Sequence, residues 1–160
     1  MSKKSTVIIA TVICALSVIA MITAIAVVSS IEEPEFVPPS FDEMAVNGTP
    51  DSPGDSWTPI YREGMSFSAH LCGKVIVSGN TADVYFTNDE GNDVWLKLRI
   101  VDSEGNVIAE TGIIKPGQYI KSVTFSTVPD TGDKISMKIM AYQPETYFSE
   151  GAVSLSTKIS

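Results

Sequence analysis

The sequence predicts a mainly β protein, an antiparallel β-sandwich of about seven to eight strands preceded by one transmembrane α-helix. Three observations carry that prediction: an uncharged apolar run at residues 7–28, alternation of apolar and polar residues after Trp57, and turn-forming residues between the alternating runs. The 160 residues leave room for one domain beyond the apolar run and a connecting segment, since domains run to about 100–150 residues.

The run at residues 7–28, VIIATVICALSVIAMITAIAVV, contains no charged side chain. As a helix rising about 1.5 Å per residue it is about 33 Å long, which matches a bilayer core. Signal-peptide apolar regions reach only about 7–15 residues, so the length favours an uncleaved signal anchor over cleavage near Ala24-Ile25-Ala26. Thr11, Val12 and Ile13 precede Cys14 where a lipoprotein needs a small residue, which argues against lipidation. Lys3 and Lys4 lie before the run and no Lys or Arg follows until Arg62. The positive-inside rule then keeps residues 1–6 as a cytoplasmic stub and exports everything after the helix. The expected location is the cell membrane, single-pass, with the lipid bilayer as the partner of the helix.

Residues 29–56 read as a Pro-rich acidic linker. Pro34, Pro38, Pro39, Pro50 and Pro53 fix φ and favour extended chain, and like charges oppose its collapse. Its reach lies between a coil of about 30 Å and an extended limit of about 90 Å. Phe36, Val37, Phe41, Met44 and Val46 break the polar pattern and mark a segment able to dock on the domain or on a partner. Asn47-Gly48-Thr49 reads as a turn.

Residues 57–160 read as an extracellular β domain. The clearest strand alternates Val94, Leu96, Leu98 and Ile100 with Trp95, Lys97 and Arg99. Further strands are expected at residues 66–71, 74–77, 83–87, 106–110, 120–126, 135–142 and 152–159. Turn chemistry falls between them, at Ser78-Gly79-Asn80, Asn88 to Asn92, Asp102 to Asn106, Lys115-Pro116-Gly117 and Pro129 to Asp133. Strands spaced by about 8–12 residues indicate a sandwich of immunoglobulin-like type, with a small barrel as the second topology. The immunoglobulin disulfide is missing. Cys14 lies in the apolar run and Cys72 in the domain, so Cys72 reads as a structural thiol.

The formal net charge is -8. An acidic exported domain repels phosphate backbones and anionic headgroups, which excludes nucleic acid as a partner. Chemistry is sparse. His70 and Cys72, two apart on a strand, have the minimum arrangement for a thiol and a base, but no orienting carboxylate is evident, and no catalytic residue is assigned. Asp89, Glu90, Asn92 and Asp93 crowd oxygen ligands around Gly91 and form a calcium candidate of the extracellular kind, with a solvated hairpin turn as the alternative. Tyr147 and Phe148 place two aromatic rings in the loop between the last two strands, a candidate partner contact. No cofactor is expected, and no enzyme.

The segments Val94 to Ile100, Asp102 to Asn106 and Thr111 to Ile120 carry an aliphatic strand, a D-x-G-type turn and a G-[LI]-I-x-P-G motif in order. In this they resemble uncharacterised membrane-anchored surface proteins of Gram-positive bacteria that carry a single β-sandwich domain. The resemblance covers roughly residues 66–160 and implies fold and surface location, with no activity and no site residue to carry over. The expected function is a non-enzymatic extracellular module for protein-protein interaction, adhesion or envelope assembly. The alternative is a ligand- or ion-sensing accessory subunit of a membrane complex, for which a six-residue stub would need a membrane partner.

Overall fold

The computed structural model describes residues 16–18, 20, 21, 23, 36–51, 53–60 and 63–160, and it falls into two units, Met1–Val37 and Pro38–Ser160. In the first unit Leu16, Ser17, Val18, Ala20, Met21 and Thr23 are helical, with the side chains of Leu16, Val18 and Met21 exposed. The Thr23 hydroxyl donates back to the Ala20 carbonyl at 2.9 Å, within one helical turn. The transmembrane helix expected at residues 7–28 falls mostly outside the described residues. Among those described, no helix is long and apolar enough to cross a membrane.

The second unit is built of ten strands among the described residues: β1 (Val46–Asn47), β2 (Trp57–Ile60), β3 (Ala69–Cys72), β4 (Val77–Ser78), β5 (Thr81–Asn88), β6 (Trp95–Val101), β7 (Val107–Glu110), β8 (Gln118–Thr124), β9 (Lys134–Tyr142) and β10 (Ser149–Lys158). They form two antiparallel sheets, one ordered β1-β8-β5-β3-β2 with β4 on β5, the other β10-β9-β6-β7. Period-two patterning explains why the sheets face each other. Leu96, Leu98 and Ile100 of β6 and Ile135, Met137, Ile139 and Ala141 of β9 point to one side and are buried. Val84 and Phe86 of β5, Leu71 of β3, and Ile120 and Val123 of β8 meet them from the other sheet in a single core. Two inner faces closing on one core make a β-sandwich.

Asn88, fully buried at the end of β5, ties the sheets together. Its side-chain amide donates to the Val94 and Ile114 carbonyls at 2.9 and 3.1 Å, and its carbonyl accepts from Asn92 Nδ2 at 2.6 Å. A buried amide with all these bonds made is stabilising and would be costly with any of them broken. β5 also carries a bulge between Asp83 and Phe86, where Tyr85 takes φ 44°.

The structure differs from the sequence reading at the N-terminal side of the domain. The segment from Pro38 onward belongs to the domain unit, where residues 29–56 read as a Pro-rich acidic linker with an apolar stretch able to dock. Asp42 N–H donates to the Ile113 carbonyl at 2.9 Å and Ile113 N–H to the Ser40 carbonyl at 2.8 Å. The Asp42 carboxylate accepts the Gly112 N–H at 2.7 Å, and Val46 and Asn47 pair with Tyr119 and Gln118 as β1. Prolines and acids favoured an extended chain, and an extended chain is what a sheet edge can pair with. Two further differences are local. The strand expected at residues 74–77 shrinks to Val77–Ser78, with Val75 making a lone bridge to Ile159. β2 was not expected, since Pro59 interrupts its alternation. Its edge position leaves the missing N–H without consequence.

Candidate functional site

Two surface features gather the chemistry-bearing residues, one on each sheet. The first is an aromatic corner. Trp95 leaves β6 on the side away from the core, where the register sets it beside Tyr142 of β9. Phe41, brought in by the docked segment, meets the Trp95 ring edge-on with centroids 4.8 Å apart. Tyr147 meets it at 5.4 Å, also edge-on, and Lys115 Nζ lies 4.6 Å from the Phe41 centroid. Edge-to-face pairs of this kind contribute about 0.5–1.5 kcal/mol each beyond area burial.

The loop carrying Tyr147 is held in a strained form, with φ 67° at Glu145 and 58° at Tyr147. Left-handed backbone at residues other than glycine costs of order 1 kcal/mol or more and persists where surrounding contacts impose it. Here the Gln143 N–H donates to the Phe148 carbonyl at 2.8 Å and the Tyr147 N–H to the Gln143 carbonyl at 3.0 Å. The result separates the two residues singled out as a partner contact. Tyr147 packs on Trp95, while Phe148 stays 71% exposed.

The second feature is a groove of about 460 Å³ on the other sheet, lined by Trp57, His70, Asp89, Glu90, Asn47 and Thr49 among others. His70 Nδ1 lies 2.8 Å from Asp89 Oδ1, and its ring stacks on Trp57 with centroids 4.4 Å apart and planes 23° apart. The Trp57 indole N–H donates to the Tyr85 carbonyl at 2.9 Å, within the β5 bulge. The orienting carboxylate not evident in the sequence is thus Asp89, nineteen positions from His70 and adjacent only once β3 and β5 pair.

His70 and Cys72 are nevertheless not joined as base and nucleophile. The Cys72 thiol is buried and donates to the Pro53 carbonyl at 3.4 Å. Burial pushes that thiol above its ordinary range and Asp83 adds to the rise, outweighing a hydrogen bond with Ser56, so the thiolate is disfavoured. Two of the four calcium candidates have other partners. Asp89 faces His70, and Asn92 is spent on Ser68, accepting its N–H at 2.9 Å and donating to its carbonyl at 2.6 Å. Among the described residues no group of three or more His, Cys, Asp or Glu stands where it could hold a metal ion. Asn88 and Asn92 frame this segment, and the Asn92 N–H donates to the Asp89 carbonyl at 3.1 Å across it.

No known family matches the chain, and no curated protein does. Among solved structures, the chain is similar at 17% identity and a TM-score of 0.35 to the crystal structure of Ruminococcus gnavus β-glucuronidase in complex with uronic isofagomine. The alignment covers 56% of this chain and 15% of that enzyme, so this chain spans a small part of its length.

Proposed function

We propose that the chain is a non-enzymatic extracellular module, anchored in the membrane by residues 7–28, that binds a protein or surface component of the cell envelope. The observation that carries this reading is the aromatic corner. Phe148 stands 71% exposed beside a packed Trp95–Tyr147 pair, and an exposed ring on a rigid support suits a binding contact. The strand order supports an immunoglobulin-like assignment. β10-β9-β6-β7 corresponds to the G-F-C-C′ sheet of that fold and β3-β5-β8 to its A-B-E strands, with the Tyr147 loop in the position of the F–G loop. The resemblance to Gram-positive surface proteins belongs to the same reading.

Crosslinking of the full chain in native membranes, followed by affinity recovery, tests it. A discrete envelope component recovered with the wild-type chain and diminished by Phe148→Ala is the expected result. Recovery unaffected by Phe148→Ala would sink the assignment of the corner. Protease treatment of intact cells tests the topology, and a domain that stays protected would contradict export. The sensing alternative is favoured by the groove around His70, Asp89 and Trp57, which has room for a small ligand.

A further inference from the structure

Acidic composition conceals a segregated basic face. Lys3 and Lys4 are the bases before residue 38, and Glu32, Glu33 and Glu35 the acids, so the chain's 11 bases and 19 acids leave 9 and 16 in residues 38–160. Five of those nine bases, Lys97 and Arg99 on β6, Lys134 and Lys138 on β9, and Lys158 on β10, sit at alternating positions facing away from the core of one sheet. Glu110 on β7 holds Lys97 at 3.1 Å and Arg99 at 3.0 Å, and Asp102, Glu104 and Asp133 line the hollow at the Lys134 end of the face. Glu150 stands at the start of β10.

Register makes this face costly. Lys138 lies directly opposite Arg99, and Lys134 directly opposite Lys158. Like charges placed opposite one another across antiparallel strands destabilise a sheet. Among the described residues no carboxylate lies within ion-pair distance of Lys134, Lys138 or Lys158. Around the Lys134–Lys158 pair the surface is concave, a cavity of about 440 Å³ that also includes Ser103, Ser136, Ser156 and Asp102. Asp102 does not neutralise the lysines at hydrogen-bond range. Its oxygens accept from Asn106 and the Glu104 N–H at 2.8 to 2.9 Å, and the Asn106 amide foremost holds its carboxyl below the ordinary range.

We propose that this sheet face is a track for a linear acidic polysaccharide. The features repeat along β9. The Lys134–Lys158 pair, the Arg99–Lys138 pair and the Trp95–Tyr142 pair succeed one another at four-residue intervals of about 13 Å. Charges spaced along a line match a polymer better than a single small anion, and Ser136, Ser154 and Ser156 add hydroxyls on the same face. The inference rests on the extracellular-module reading and names the chemistry of its partner.

The test uses the full chain in zwitterionic nanodiscs, with dextran sulfate as probe beside neutral dextran, poly-glutamate and anionic vesicles. Dextran sulfate binding at least ~10-fold tighter than neutral dextran is the expected result, and in K134Q/K138Q/K158Q binding about 100-fold weaker, at about tenfold per lysine or less. K74Q/K121Q, off the face, should stay within about twofold, since exposed charges act weakly at a distance. The triple variant should melt no lower than wild type, because repulsion is removed. Equal binding of the two dextrans, or equal loss in both variants, overturns the proposal. So does tighter binding to poly-glutamate or vesicles than to dextran sulfate. If a protein partner is crosslinked through Phe148 while dextran sulfate shows no preference, the track fails and the module reading stands.

Discussion

At Gly112 an added methyl group would lie 2.5 Å from Asp42 N and 2.6 Å from Asp42 Cα, both backbone atoms of the docked segment. Gly112→Ala must therefore displace that segment, and the expected loss is about 1–3 kcal/mol in urea unfolding. An unchanged midpoint would show that the close approach carries no stability. Glu110 gives a second residue-scale prediction. Burial raises its pKa, but hydrogen bonds and charge from Lys97 and Arg99 outweigh burial and hold it below its usual 4.5. A depressed carboxylate adds stability that is full above the unfolded value and is lost as pH falls through the folded one. Wild type should therefore lose more melting temperature than Glu110→Gln as the pH is lowered from about 5 toward 3. Parallel profiles would remove the ion pairs from the account. Little of this was legible beforehand, because Asp42 lies 70 positions from Gly112 and nothing local announces the contact.

Among the elements, β5, β6, β8, β9 and β10 were readable because each alternates long enough to expose its period. β6 shows why alternation alone misjudges the outer face. Lys97 is on the polar side of its strand yet only 8% exposed, covered where it pairs with Glu110. β1 and β4, at two residues each, have too few positions to show a period, and Pro59 interrupts the period of β2, so these three are fixed by their neighbours instead. The loop after β9 makes a separable prediction. Tyr147→Ala removes a ring packed on Trp95 and should lower the melting temperature, whereas Phe148→Ala removes an exposed ring and should leave it within error. Equal destabilisation by both would place Phe148 in the packing rather than at the surface.

For the whole molecule, alternation predicted a β-rich chain and composition an acidic one, and neither could predict where the charges would collect. Net charge argued against anionic partners, but pairing of β6, β9 and β10 gathers Lys97, Arg99, Lys134, Lys138 and Lys158 on one face. Period two says which residues share a face of one strand, and only the register says which strands lie side by side. The His70–Asp89 pair was hidden for the same reason, and the aromatic corner needs three separate segments, carrying Phe41, Trp95 and Tyr147, to converge. The proposal of an interaction module depends most on that corner. A photoreactive phenylalanine analogue in place of Phe148, in the full chain in native membranes, tests it most directly, with the same analogue at exposed Ile76 as reference. The account predicts a discrete adduct with one envelope component from position 148 and none of that species from position 76. The same products from both positions, or none from position 148, would contradict it.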